Sequence, residues 1–348
     1  MRHAWKANDA VRDEGLTYPD RVVQIKNLDY KKELDVGRYR ELMTSWVAAF
    51  GDSCVKENEG ESVAGSSVSV AETVLKDIII YAADGGASDI DSDLYPSNSL
   101  FDLCVPASYM TDAGRKYPVI VNVHGGGWFY GDKELYSHYC CHLAERGYVV
   151  VNFNYRLSPQ NKYPAAIEDV AYLVRYIHDN AETFGIDMDS FYMVGDSAGA
   201  QLTENYCIIA SNEEYRNKLD FFTYTLLPKK VCLNCGAYKL ADRNDQIASW
   251  YIRNSESALA VTQEQYELFM DQLSYINTDF PEAYLMYSVN DDLGYHTVEL
   301  DKVMNEVGVK HVTRAYGQDN PESGHVFHVN MRNPEGIKCN KDECRFMR

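Results

Sequence analysis

Gly195-Asp196-Ser197-Ala198-Gly199 fits the pattern G-x-S-x-G, and Phe191 to Val194 before it read as a buried strand. A strand passing straight into a helix through such a pentapeptide turns sharply. The turn crowds the backbone, so small residues must flank the serine on both sides. The Ser197 hydroxyl then projects above the carboxyl ends of the strands, where the N-terminus of the following helix favours negative charge. Taken alone, the motif is equally a strand-to-helix turn capped by a serine. His124-Gly125-Gly126-Gly127-Trp128 closes an earlier apolar run, Tyr117 to Val123. Three successive glycines let the backbone approach a ligand closely and turn its N–H groups into a cavity. A developing oxyanion needs two or three such donors, and the Ala198 N–H after the serine is the natural third. A phosphate-binding loop would need a following Gly-Lys-Ser/Thr, which is absent. His124 stands at a strand end ahead of the serine strand, a place better suited to orienting the loop than to acting as a base.

A nucleophilic serine needs a base, and the base needs a carboxylate to fix its tautomer. Two later segments offer them. Leu285 to Leu293 is a strand running into the acidic turn Asn290-Asp291-Asp292, and Ser323-Gly324-His325-Val326-Phe327-His328 places histidines on a loop after the last strand. Each of these features is weak in isolation. Their order along the chain, each at the end of an expected strand, is what gives them weight.

The elements that must position them follow from hydrophobic periodicity. Strands are expected at Lys76–Tyr81, Leu100–Val105, Tyr117–Val123, Tyr148–Asn154, Phe191–Val194, Lys229–Cys235, Ala283–Ser288 and His311–Ala315. Helical patterns lie between them, at 133–146 and after Pro164 with Ile167, Val170, Leu173, Val174 and Ile177 on one face. Tyr39 to Phe50 also carries helical spacing, in Leu42, Met43, Trp46, Val47 and Phe50. Alternating strands and helices mean βαβ units and a mostly parallel sheet with helices on both faces. The expected division is an N-terminal extension over residues 1–75, a core over 76–236 and 281–348, and a small helical cap over 237–280.

The chain has 348 residues and a net charge of −19, enough for one large α/β domain and unsuited to nucleic acid or anionic membrane surfaces. Neither an apolar leader in the first residues nor an apolar run long enough to span a bilayer is visible, and the expectation is a cytoplasmic chain. Nine cysteines then read as reduced thiols. Cys232, Cys235, Cys339 and Cys344 could form a thiolate zinc site only if the C-terminal segment folds back, and Lys230 to Cys235 reads better as a buried strand. Asp89-x-Asp91-x-Asp93 opens like a calcium loop, but Leu94 and Leu100 replace the required glycine and glutamate. No metal and no cofactor are expected.

The G-D-S-A-G and H-G-G-G motifs together resemble the α/β-hydrolase superfamily, and within it the hormone-sensitive-lipase-like esterases. The chain is also similar to bacterial esterases that remove acyl groups from plant polysaccharides. Gly131-Asp132-Lys133, Asn154-Tyr155-Arg156-Leu157-Ser158-Pro159 and Tyr163-Pro164-Ala165-Ala166-Ile167-Glu168-Asp169 extend the resemblance, which covers roughly residues 75–330. It implies an α/β-hydrolase fold, Ser197 as nucleophile, and an oxyanion hole from the N–H groups of Gly126, Gly127 and Ala198, with His124 and Gly125 supporting the loop. The triad order Ser197, Asp291, His325 is the one this fold uses. The family's D-P-L reads here as Asp291-Asp292-Leu293, which favours Asp291 and leaves Asp292 as the alternative. H-G-F reads as His325-Val326-Phe327, which favours His325 over His328.

The implied function is hydrolysis of short-chain acyl esters, with acylated carbohydrates as candidate substrates and activity falling at low pH as His325 protonates. Trp128 and a tyrosine-rich cap are expected to wall a narrow pocket. An amidase, formamidase or peptidase would use the same machinery, and a ligand-binding protein on a hydrolase scaffold is the rival of another class. A small-molecule ester is the expected partner, and a second copy of the chain is a candidate one.

Overall fold

Alternate residues along the central strands feed two separate apolar clusters, which is why helices must cover both faces of the sheet. Val119, Val121 and Val123 pack into one cluster, and Ile120 between them into the other. The same alternation separates Val149, Val151 and Phe153 from Val150. The computed structural model describes residues 2–41, 43–44, 79–81, 99–112, 114–240, 251 and 262–348. Its strands are β1 (Val22–Asp29), β2 (Ile79–Tyr81), β3 (Leu100–Pro106), β4 (Tyr117–Val123), β5 (Val149–Phe153), β6 (Ile186–Asp196), β7 (Lys230–Asn234), β8 (Glu282–Ser288) and β9 (His311–Tyr316). They form one nine-stranded sheet in the order β2-β1-β3-β5-β4-β6-β7-β8-β9. From β5 to β9 every pairing is parallel, and β3 runs antiparallel to both β1 and β5.

The helices used below are α1 (Arg2–Asp13), α2 (Ser137–Ala144), α3 (Ala165–Asp179), α4 (Ala198–Ser211), α5 (Glu213–Leu219), α6 (Gln263–Met270), α7 (Gly294–Val307) and α8 (Pro334–Met347). Ile167, Val170, Leu173, Val174 and Ile177 of α3 and Leu202, Tyr206 and Ile209 of α4 fill the first cluster. Tyr139, Cys140 and Leu143 of α2 and Cys339, Cys344 and Met347 of α8 fill the second. Among the described residues no helix is long and apolar enough to cross a membrane.

The expected division at residue 75 fails at β1. Residues 22–29 lie inside the sheet, hydrogen-bonded between β2 and β3, so the first stretch of chain is not merely an extension. Periodicity missed this strand because Gln24 and Lys26 interrupt it, yet both are buried. The Lys26 ammonium is matched by the Glu134 carboxylate and lies 4.0 Å from that of Asp102, which also takes Lys133 at 2.9 Å. A buried cation with two anions in reach is tolerated where an unpaired one is not. Of the expected 237–280 cap, residues 241–250 and 252–261 lie outside the described residues. The described remainder holds α6, opened by a Thr262/Gln265 capping box. Most of the helix expected at Tyr39–Phe50, the acidic loop with Asp89, Asp91 and Asp93, and Lys76–Ile78 also lie outside them.

The C-terminal segment folds back on the sheet as α8, placing Cys339 and Cys344 in one apolar cluster with Cys232 and Cys235. The eight described cysteines are all free and buried. Among the described residues these four thiols do not form a ligating set. What fixes α8 is Glu343, whose carboxylate accepts hydrogen bonds from the Asn234 amide and, at 3.0 Å, from the Tyr139 hydroxyl. Burial pushes the Glu343 carboxyl up to about 7, against the pull of those two donors. A carboxyl whose folded value lies above its unfolded one (about 4.3) contributes stability that is complete below the unfolded value and lost as pH rises through the folded one. Ionised, Glu343 therefore costs on the order of 3 kcal/mol. Glu343→Gln keeps the size and both hydrogen-bonding ends. Its melting temperature is expected to match the parent near pH 5 and to exceed it by several degrees at pH 8.5. Parallel melting curves across that range would remove Glu343 from the argument.

Candidate active site

Four neighbouring parallel strands deliver their carboxyl ends to one edge of the sheet: β4 leads into His124, β6 into Ser197, β7 into Cys235 and β8 into the turn at Asp291. The loop after β9 brings in His325. Ser197 has φ +51°, a left-handed conformation that is costly for a residue with a side chain. It is held there because its N–H donates to the Asn234 carbonyl at 2.9 Å. A Cβ on Gly199 would collide with the backbone carbonyls of Val123 and His124, and one on Gly195 would meet the Gly199 carbonyl. The small residues beside the serine are thus required by the closeness of β4 to α4.

The Ser197 hydroxyl lies 2.9 Å from His325 Nε2, and His325 Nδ1 lies 2.7 Å from Asp291 Oδ2. With the proton on Nδ1, the ring donates to Asp291 and Nε2 is free to accept from the serine. Asp291 is further fixed because its other oxygen accepts from the Leu293 N–H at 2.9 Å. Burial raises the Asp291 carboxyl, but the hydrogen bond and charge of His325 outweigh it and hold the group below the ordinary carboxylate range. Asp292, the sequence alternative, is exposed and makes no such contact. His328 is buried with its ring edge-on to Tyr139, and burial lowers it to about 3, so it stays neutral away from the serine.

Gly126 and Gly127 have φ +111° and +60°, and Trp128 continues the left-handed run at +61°. Among the described residues the N–H groups of Gly126 and Gly127 meet no acceptor, and Ala198 as the first residue of α4 has no intrahelical one. The Gly125 N–H, by contrast, is taken by the Asp196 carboxylate at 3.1 Å and the Tyr136 hydroxyl at 2.9 Å. The loop is braced from behind by His124, which stacks on Tyr155 at 4.2 Å and places Nδ1 2.7 Å from the Gly125 carbonyl. Burial lowers His124 to about 4, keeping it neutral. Asp196 is buried as well, and burial pushes it up to about 7 against the donors Tyr136 and Gly125. A Cβ at Gly126 would collide with the Tyr130 carbonyl. Gly126→Ala is therefore expected to displace the loop and lower kcat by about 10²–10³-fold with a smaller change in KM. Steady-state kinetics with an activated ester would show it, and an unchanged kcat would mean that this loop carries no oxyanion.

Trp128, expected as a wall of the pocket, borders the cavity that Ser197 and His325 also line and is 1% exposed. Its indole stacks on Tyr251 at 4.8 Å and donates to Gln201 of α4 at 3.0 Å. The residue anchors the glycine loop to the serine helix, and an indole N–H in such surroundings needs a partner of this kind. A further aromatic wall comes from α1, where Trp5 lies 5.1 Å from Phe129 and 5.5 Å from Tyr130. Trp5, Asp9 and Arg12 line a cavity of about 480 Å³ that also borders Ser197 and His325. Their i, i+4, i+7 spacing is a one-face pattern present in the sequence. Tyr130 donates to Asp9 at 2.6 Å and Arg12 to the Leu135 carbonyl at 2.7 Å, so α1 is tied to the loop that it faces. The motifs extending the resemblance are structural: Arg156 pairs with Asp169 at 2.9 Å, and Lys133 with Asp102. Of possible metal ligands, only Cys235, Asp291 and His325 gather among the described residues.

The profile of one family, BD-FAE, matches residues 102–297. The chain is 43% identical to versiconal hemiacetal acetate esterase of Dothistroma septosporum over 86 residues, which are 24% of this chain and 26% of that protein. It is 25% identical to an AB hydrolase superfamily protein of Schizosaccharomyces pombe over 217 residues, 54% of this chain and 62% of the other. Both matches span less than two thirds of the relative's length. Among solved structures, esterase B from Lactobacillus rhamnosis superposes with a TM-score of 0.69 at 20% identity, over 99% of this chain and 91% of that one. An esterase from Pyrobaculum calidifontis gives 0.59 at 22%, over 71% and 80%.

Proposed function

The chain belongs to the BD-FAE family of the α/β-hydrolase superfamily, and on that premise we propose that it is a serine carboxylic ester hydrolase acting on short-chain acyl esters. The observation that carries this reading is the continuous hydrogen-bond line from Ser197 Oγ through His325 to Asp291. As the serine oxygen attacks the ester carbonyl, its proton passes to His325 Nε2. The imidazolium so formed is stabilised by Asp291, which keeps Nδ1 protonated throughout. The N–H groups of Gly126, Gly127 and Ala198 receive the tetrahedral oxyanion. His325 then protonates the leaving alcohol, and a water deprotonated at Nε2 releases the acid from Ser197.

A cavity of about 480 Å³ falls within the range of small-molecule sites. Its position between the glycine loop and α1 supports an acyl group as small as acetyl, with an acylated sugar or aryl alcohol as the other half. We assign the closing of this cavity to α1, as part of the cap.

The test compares p-nitrophenyl acetate, butyrate and decanoate with the matched p-nitroanilides. Acetate and butyrate are expected to turn over fastest, and a fluorophosphonate should label one serine stoichiometrically. Faster cleavage of the anilides would replace this reading with an amidase. Failure to label, with no turnover of any substrate, would favour a binding protein.

A further inference from the structure

Cys235 occupies a position that the hydrolytic cycle does not use. It follows β7 directly, and β7 lies between the strand that ends at Ser197 and the strand that leads to Asp291. Its backbone is left-handed, at φ +47°, a conformation usually left to glycine or asparagine. The turn is pinned by the Cys235 N–H, which donates to the Met286 carbonyl at 2.7 Å. The side chain is fully buried, with its thiol 3.8 Å from Met286 Sδ and beside the Asp291–His325 pair. One sulfur, one carboxylate oxygen and one imidazole nitrogen thereby lie within 4.8 Å of one another.

A four-coordinate zinc ion, bonded at about 2.0–2.3 Å, holds its ligand atoms roughly 3.2–3.7 Å apart. The Asp291 and His325 atoms, 2.7 Å apart, need only open slightly, and the sulfur close in, around such an ion. Two of them are anionic once bound, so a divalent cation would be fully neutralised, and a water could complete the tetrahedron.

We infer that Cys235 Sγ, Asp291 and His325 Nδ1 form a binding site for a thiophilic divalent cation such as zinc, and that occupancy switches the hydrolase off. The proton balance explains the inhibition. The thiol releases one proton as the metal–sulfur bond forms. The imidazole keeps its proton but must move it from Nδ1 to Nε2, because the Nδ1 lone pair now binds the metal. Nε2 then carries a hydrogen and cannot accept one from Ser197. A cation reaches the site through the cavity, which His325 borders, whereas the buried thiol is shielded from bulky alkylating reagents. The inhibitory half of this inference rests on the esterase reading, but the cation site does not.

Titration of the full-length protein with cobalt(II) separates the two. One equivalent should produce a thiolate-to-cobalt charge-transfer band in the near ultraviolet, with about one proton released. Zinc should inhibit ester hydrolysis, and a chelator should restore it. Cys235→Ser should lose the band and raise the zinc concentration for half-inhibition at least tenfold, each protein being measured against its own metal-free rate. His325→Ala changes a partly exposed loop residue and should also lose the band, whatever its activity. Absence of the band in the parent, or equal zinc sensitivity in Cys235→Ser, would overturn the site. A band in a protein that hydrolyses no ester would leave the cation site standing and remove the esterase reading instead.

Discussion

Ser197→Ala is expected to lower kcat/KM for p-nitrophenyl acetate by about 10⁴–10⁶-fold while leaving the melting temperature nearly unchanged. The size follows from losing the nucleophile in a unit whose members do not act additively: without the hydroxyl, His325 and Asp291 have nothing to activate. The residual rate comes from the oxyanion hole and binding alone. The thermal part follows from the turn. The hydrogen bond that holds the residue at φ +51° is made by its backbone N–H to Asn234, and alanine keeps it. Ser197→Gly should be equally inactive yet melt higher, because glycine adopts that φ without cost. A Ser197→Ala protein with parental activity would place the chemistry elsewhere.

Asp291→Asn is expected to cost about 10⁴-fold in kcat, against less than about threefold for Asp292→Asn. An amide at position 291 can present N–H to the imidazole, which selects the tautomer with its proton on Nε2 and deprives Ser197 of an acceptor. Asp292 is exposed and stands outside the hydrogen-bond line, so its charge is largely screened. Comparing kcat for the two variants at saturating ester decides between adjacent residues. Equal losses would mean that the acidic turn acts through its summed charge and not through a bond to His325.

What was legible in the sequence was whatever local crowding or strand periodicity records. β4, β5 and β8 read as apolar runs because both of their faces are covered. The serine turn and the glycine loop could be placed because each carries its glycines in one short motif, although Gly199 answers to the carbonyls of Val123 and His124 on a distant strand. Relations between distant segments were harder to see. β1 hides Lys26 and Gln24 in the sheet, and only the carboxylates of Glu134 and Asp102, far along the chain, make that arrangement sound. Trp128 is legible as a neighbour of the glycine loop and the cavity, whereas its partners Gln201 and Tyr251, which set its direction, lie far along the chain. Cys235 reads as a small apolar residue at the end of a strand, and no local pattern announces that Asp291 and His325 come to rest within 4.8 Å of its sulfur. The choice between Asp291 and Asp292 needed a family motif, since neighbouring aspartates on a turn have the same composition and opposite directions.

The tie between α1 and the far end of the molecule bears on how the site comes into being. The Arg332 guanidinium donates to the backbone carbonyls of Val11, Arg12 and Glu14, across sequence separations of 321, 320 and 318. Glu343 meets Tyr139 and Asn234 at separations of 204 and 109, and His325 meets Ser197 at 128. Contacts this remote are entropically costly to close early and belong to slow, late steps of folding. The serine turn closes on Asn234 and the glycine loop on Asp196, whereas base and cavity wall come from segments still more remote along the chain. The line from Ser197 through His325 to Asp291 thus depends on segments spread over the whole domain.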